Sequence, residues 1–260
     1  MPNIDQHPAG NFVWMELATT DQAAAKQFYS ALFGWEANDS PMGPDELYTM
    51  FSLNGRQTGA AYTMKAEDRA IGIPPNWLLY ISVDNADDTV ARAPEHGGTP
   101  MSPAFDVMTY GRMAVIQDPT GAIFAIWQPR DHKGMGVYGE NGALCWSDLN
   151  TTDRDSAAKF YGSLYGWEFT PGKDKDPSGY LHIKNGEHFI GGMPPAEALQ
   201  PHVPPHWMGY IQTADCDAQT AKAASLGAKI LLAPMAIEGS GKFSVLADPQ
   251  GAVFALFSSK

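Results

Sequence analysis

Two acids stand out by their neighbours. Glu16 closes the run Trp14-Met15-Glu16, and Asp148 closes Trp146-Ser147-Asp148. In an extended chain, residues two apart share a face, so each carboxylate sits beside an indole. Such an acid is costly to bury without a partner. Arg112 and Lys242, each following the glycine of a later strand-like segment, are the candidate partners. A carboxylate backed by a cation could orient a ligand or transfer a proton. An ion pair that only pins strands together is the plainer alternative. Trp14, Tyr80 and Trp127 alternate along strand-like segments, as do Trp146, Tyr210 and Phe257. They suggest a ring-lined pocket for a planar or apolar ligand, against the alternative of an ordinary aromatic core. Trp35 and Trp167 are expected in the core.

These residues come in pairs because the chain repeats itself. WMELATTDQAAAKQFYSALFGWE, from Trp14, and WSDLNTTDRDSAAKFYGSLYGWE, from Trp146, align at a shift of 132 with 12 identities in 23 positions. At a shift of 130, PPNWLLYI pairs with PPHWMGYI, and GRMAVIQDPTGAIFAIW with GKFSVLADPQGAVFALF. A period near 130 is the size of a whole domain. Domains at 1–130 and 141–260 follow, linked by the glycine-rich Pro129–Gly142.

The elements that must position the acids can be read in the first copy. Asn11–Thr19 alternates as a strand. Thr20 or Asp21 caps a helix that runs to Phe33, with Ala24, Phe28 and Leu32 as its buried stripe and Gly34 as its stop. Strands are expected at Tyr48–Leu53 and Thr58–Met64, joined by an Asn54-Gly55 hairpin turn. Lys65–Asn76 reads as a loop. A strand at Trp77–Asp84 precedes a helix from Asn85 that Pro94 shortens. Strands at 101–105, 111–117 and 122–128 complete two βαβββ units, an α+β arrangement.

Composition narrows the partners. With 17 Lys and Arg against 29 Asp and Glu, the net charge of −12 excludes a basic nucleic-acid face. No apolar run approaches the roughly 20 residues of a membrane helix, so no membrane partner is expected. Cys145 and Cys216 occupy non-equivalent places in the two copies and give no disulfide framework. A reducing, cytoplasmic setting is expected, consistent with the opening MPNIDQHPAGN, which reads as no leader. Cys145 falls on the strand face opposite Trp146 and reads as a buried structural thiol.

The motifs TTDQAAAKQFYSALFGW and TTDRDSAAKFYGSLYGW, each followed by a DPTG or DPQG turn inside a strand pair, resemble the vicinal oxygen chelate superfamily. This group comprises glyoxalases, bleomycin-resistance proteins and extradiol dioxygenases. The resemblance covers nearly the whole chain. It implies two tandem domains, each with paired βαβββ modules curving around a cleft, and places Glu16 and Asp148 on the cleft face. It also implies where the metalloenzymes of the group hold their ions. Those positions fall on Trp14, Leu78 and Ala125 in the first copy, and on Trp146, Met208 and Ala255 in the second. A fourth lies within Gly59–Tyr62 and Gly191–Met193. Trp, Leu, Met and Ala cannot hold a divalent cation that wants oxygen or imidazole ligands, and those two segments carry no carboxylate, imidazole or thiolate, so no metal or other cofactor is expected. An off-pattern ion at Glu16, or at Asp148 with His206, is the residual alternative.

The expected function is therefore metal-free binding of a small molecule in aromatic-lined clefts, by sequestering or sensing. Lining is expected from Trp14, Glu16, Leu78, Tyr80, Arg112, Ala125 and Trp127, and from Trp146, Asp148, Met208, Tyr210 and Lys242. The alternatives are a metal-dependent lyase, isomerase or dioxygenase, and metal-free acid–base catalysis by Glu16 or Asp148. A monomer and a homodimer are both compatible with the built-in repeat.

Overall fold

A computed structural model describes residues 3–44, 46–171 and 178–260. The first copy runs β1 (Phe12–Thr19), α1 (Gln22–Phe33), β2 (Glu36–Pro41), β3 (Leu47–Leu53), β4 (Arg56–Thr63), α2 (Ala66–Ala70), β5 (Asn76–Ser82), α3 (Ala86–Arg92), β6 (Thr99–Pro100), β7 (Phe105–Val107), β8 (Gly111–Gln117) and β9 (Ile123–Pro129). The second runs β10 (Leu144–Asn150), α4 (Arg154–Tyr165), β11 (Glu168–Pro171), β12 (Leu181–Asn185), β13 (His188–Met193), β14 (His206–Gln212), α5 (Cys216–Ser225), β15 (Lys229–Ile237), β16 (Gly241–Ala247) and β17 (Val253–Ser259). Each copy forms one mixed sheet. The orders β2-β3-β4-β1-β5-β9-β8-β6 and β11-β12-β13-β10-β14-β17-β16-β15 place β1 and β5, or β10 and β14, at the centre. The two βαβββ modules of each copy meet there, as the motifs imply.

Local chemistry sets the helix ends. Asp21 accepts from the Ala24 amide and Asp153 from the Ser156 amide, while Gly34 and Gly166 stop α1 and α4 in the left-handed conformation. The Asn54-Gly55 turn has positive φ at both residues, which matches the twist of a two-residue hairpin. The expected loop at 65–76 contains the short α2. The strand expected at 101–105 is split into β6 and β7, whereas the second copy keeps a continuous β15 there.

The buried stripe of α1 is Ala25, Phe28, Tyr29 and Leu32 rather than one starting at Ala24. The reason is a second neighbour. Besides its own sheet, α1 meets the other copy, where Phe28 lies 6.2 Å from Phe254; Phe124 and Phe160 make the counterpart contact. The sheets stand back to back. A Cβ on Gly209 would approach Leu79 of the first copy, so the leucine fills room that its repeat counterpart leaves. The void remaining beside Met15, Leu79 and Phe254 measures about 10 Å³, no more than one water.

A reciprocal clamp locks this contact. Tyr29 Oη donates to Asp248 Oδ2 at 2.9 Å and accepts from Trp77 Nε1 at 2.9 Å. Tyr161 Oη donates to Asp118 Oδ2 at 3.1 Å and accepts from Trp207 Nε1 at 2.8 Å. Oδ1 of each aspartate accepts backbone N–H groups within its own DPxG turn. The tyrosine of each helix motif thus bonds the turn motif of the other copy.

Tyr29→Phe or Tyr161→Phe leaves a buried indole N–H and a carboxylate oxygen unpaired, and each should cost about 1–3 kcal/mol of stability in urea unfolding, with an unchanged m-value. We propose that units 1–130 and 141–260 are complete sheets whose outer faces require a partner. Residues 1–132 expressed alone should self-associate through the α1 face; a stable monomer by light scattering would refute that.

Candidate functional site

Strand parity builds the clefts. In the first copy Trp14 lies opposite Tyr80, and Glu16 opposite Leu78, across the β1–β5 pair; Ala60 flanks Glu16 on β4, and Ala125 flanks Tyr80 on β9. The second copy repeats the pattern, with Trp146 opposite Tyr210, Asp148 opposite Met208 and Gly192, and Tyr210 beside Ala255. These residues share the inner face. Met15, Leu17 and Leu79 alternate with them and are buried in the core between the copies.

The acids are satisfied by phenols. Tyr48 Oη donates to Glu16 Oε2 at 2.5 Å and Tyr80 Oη to Glu16 Oε1 at 3.0 Å. In the second copy Tyr180 Oη donates to Asp148 Oδ1 at 2.5 Å, Trp146 Nε1 donates to the same oxygen at 3.0 Å, and Tyr210 adds a further bond. Burial pushes the Glu16 carboxyl above the usual carboxylate range, against the opposing pull of Tyr48 and Tyr80. Burial likewise raises Asp148, to about 6, opposed by Tyr180, Tyr210 and Trp146. The tyrosines are pushed well upward by burial and by the neighbouring acid. They remain protonated donors, and the acid is the group that titrates.

The cations expected behind these acids are elsewhere. Arg112 shares a face with Ala114 and Ile116, so it points to the helix side, where it bonds Asp87 of α3, Asp106 and the Ala104 carbonyl. Lys242 shares a face with Ser244 and bonds Asp217 of α5. Pleat parity decides this: Met113 and Trp127, one residue out of step with Arg112, take the cleft side. Arg112 and Lys242 are therefore corrected from cleft partners to strand–helix ties.

Tyr48 and Tyr180 were not legible as site residues, although they repeat at the same shift of 132 as the acids they bond. Their setting differs in a compensating way. A Cβ on Gly192 would land on the Tyr180 hydroxyl, so the shorter Asp148 is reached through space that Ala60 fills in the first copy. His132, in the link between copies, lies edge-on against Trp14 at 4.6 Å and near Trp127, whose Nε1 donates to the His132 carbonyl. Burial lowers its imidazole to about 4, leaving it neutral. Trp14, Tyr80 and Trp127 are buried within the cleft wall, and Trp35 and Trp167 are core. Cys145 bonds the Tyr210 carbonyl, and burial raises its thiol to about 12, an unreactive state.

The donor set does not fit a divalent ion. Trp14, Leu78 and Ala125, and Trp146, Met208 and Ala255, lie together on the inner faces at the positions the resemblance marks, and none offers an oxygen or imidazole. Among the described residues no three His, Cys, Asp or Glu gather. His206 bonds the Pro204 carbonyl and pairs in register with Asn150, one pleat away from Asp148. Nor is any helix among the described residues long and apolar enough to cross a membrane.

Comparison with known proteins agrees with this architecture. Residues 11–126 match the model of the glyoxalase/bleomycin resistance protein/dioxygenase superfamily, and residues 146–257 that of a glyoxalase-like domain. A Mycobacterium tuberculosis protein with the provisional name glyoxylase CFP32 is 39% identical over 98% of this chain and 97% of its own. The anthracycline biosynthesis protein DnrV of Streptomyces peucetius is 31% identical over 94% of this chain and 91% of its own. Among solved structures, a Mn(II)-bound glyoxalase from Novosphingobium aromaticivorans superposes with a TM-score of 0.65 at 14% identity, over 99% of this chain and 83% of that one. The 2,3-dioxygenase LapB from Pseudomonas sp. KL28 does so with 0.67 at 11%, over 96% and 92%. At such identities these likenesses speak for the fold alone.

The raised carboxyl of Asp148 has a pH signature. Its folded value of about 6 lies above its ordinary 3.8, so the folded state holds the extra proton between those limits. The contribution is fully present below about 4 and is lost as pH rises through 6, amounting to about 3 kcal/mol by pH 7. Asp148→Asn should remove that slope: its stability relative to wild type should rise by roughly this amount between pH 4 and 7 in urea titrations. A constant difference would show that the acid ionises normally.

Proposed function

The chain belongs to the glyoxalase/bleomycin resistance protein/dioxygenase superfamily, and from that premise we propose that it is a metal-free small-molecule-binding protein whose two clefts take planar aromatic ligands. The observation that carries this reading is the duplicated acid–tyrosine cluster. In each copy the carboxylate on the cleft face is held by neutral phenol and indole donors, beside positions where the resemblance puts metal ligands and this chain carries Trp, Leu or Met, and Ala. Leu78 and Tyr62 in the first copy, and Trp146 and Met208 in the second, keep half-buried ring and apolar surface around a small polar centre, backed by the buried rings of Trp14, Tyr80, Trp127 and Tyr210, the usual make-up of a small-molecule site. The name of the Streptomyces relative, tied to anthracycline biosynthesis, points to the same class of fused-ring aromatic ligand.

The reading is tested by calorimetry with 2-naphthol as a planar probe, beside elemental analysis of protein purified without added metal. The probe should bind, and Trp14→Ala or Trp146→Ala should weaken it by 1–3 kcal/mol at the site concerned, the usual loss for an aromatic anchor. Dialysis against EDTA should leave the melting temperature and probe affinity unchanged. About one equivalent of metal per domain, removable with loss of stability, would overturn the reading.

A further inference from the structure

The two clefts are alike in plan and unequal in access. Asp148 is only 4% exposed, sealed under Trp146, which donates to it and to Tyr180. Glu16 carries one more methylene and keeps part of its surface open to the cleft. Around it stand Tyr48 and Tyr80, which bond it, and Tyr62, in register with Tyr48 across the β3–β4 pair. Tyr62, Leu78 and Met50 are half-buried, so the mouth above the acid is not filled by the core. In the second cleft the counterpart of Met50 is His182, packed edge-on against Trp146 and Tyr180.

From these differences we propose that the first cleft alone is a recognition site for an ammonium group, with Glu16 as counter-charge and the rings of Tyr48, Tyr62 and Tyr80 as its walls. This rests on the metal-free binding reading and adds the charge of the ligand to it.

Several observations converge. Among the described residues no cation answers Glu16: the charged and titratable groups acting on this cluster are its tyrosines and Asp68, which bears on Tyr62, while Arg112 is committed to Asp87 and Asp106. The nearby His132, against Trp14, is neutral. Each carboxylate oxygen accepts one phenol and retains lone-pair capacity for a ligand N–H. Tyrosine faces are attractive to a cation, and more so where water is thinned out. A ligand cation would also favour the ionised form of Glu16, which burial alone disfavours. The second cleft has the same acid type, but its carboxylate is buried beneath Trp146, and it holds an imidazole where a thioether stands in the first.

The test compares benzylammonium chloride with benzyl alcohol, a neutral probe of the same size, by calorimetry on the full chain at pH 7.5. Benzylammonium should bind at one site per chain, and benzyl alcohol at least about tenfold more weakly. Glu16→Gln should weaken benzylammonium about tenfold and benzyl alcohol far less, while Asp148→Asn should weaken benzylammonium no more than it weakens benzyl alcohol. Tyr62→Leu, which removes a ring without touching the bonds to Glu16, should weaken benzylammonium severalfold, and it decides the matter if Glu16→Gln fails to fold. Equal binding of the two probes would sink the ammonium assignment and leave the aromatic-cleft reading standing. So would an equal loss in Asp148→Asn. Failure of both probes to bind would remove both readings.

Discussion

The two faces of the central strand pairs carry different obligations, and most of the molecule follows from that. β1, β5, β10 and β14 each present two faces of different kind. One face of each supplies the apolar core between the copies, where Met15 and Leu79 lie; the other lines a cleft with indoles, phenols and one acid. Because side chains alternate strictly, a slip of one residue would exchange these sets and drive the acid into the apolar layer. Register is therefore fixed from both directions. The Tyr29–Asp248 and Tyr161–Asp118 bonds hold the backs of the sheets together, which in turn holds the opposite faces where the clefts form.

Within each cleft the chemistry turns on how an acid is stabilised without a cation. A salt bridge would hold the carboxylate firmly ionised. Phenol donors stabilise the anion less and allow a proton to return as burial raises the pKa, a state Asp148 enters as pH falls through about 6. The tyrosines also add ring surface, so polar and apolar recognition come from the same side chains. The exchange of Glu16 and Ala60 for Asp148 and Gly192 keeps the acid–phenol bond while moving it toward the sheet. That shift closes the second acid beneath Trp146 and leaves the first accessible.

How much of this was legible in the chain depends on the range of the interaction. The repeat, the caps at Asp21 and Gly34, the Asn54-Gly55 turn and the shared face of Trp14 and Glu16 are local, and residue spacing specifies them. The partners of the acids are not local. Tyr48 lies 32 residues from Glu16, and only the β1–β4–β3 order brings it in. Arg112 was misplaced because its position after Gly111 was weighed without its parity against Trp127. The stripe of α1 differs because part of what covers the helix, Asp248 and Phe254, lies more than 200 positions away. His132 offers no signal at all, since the link that carries it has no counterpart within the repeat.

Duplication explains why these features could diverge separately. The clamp needs both copies, because each tyrosine bonds an aspartate of the other, and loss of either half leaves buried polar groups unpaired. The cleft faces answer to no such reciprocity. Gly192, His182 and Asp148 can change together around one acid without disturbing Ala60, Met50 and Glu16 around the other, since the clefts open on opposite sides of the shared core. Constraint is therefore concentrated where the copies touch, and freedom where a ligand would be met. A tandem fold with one back-to-back core can hold two recognition surfaces of different polarity, which a dimer of identical chains cannot do.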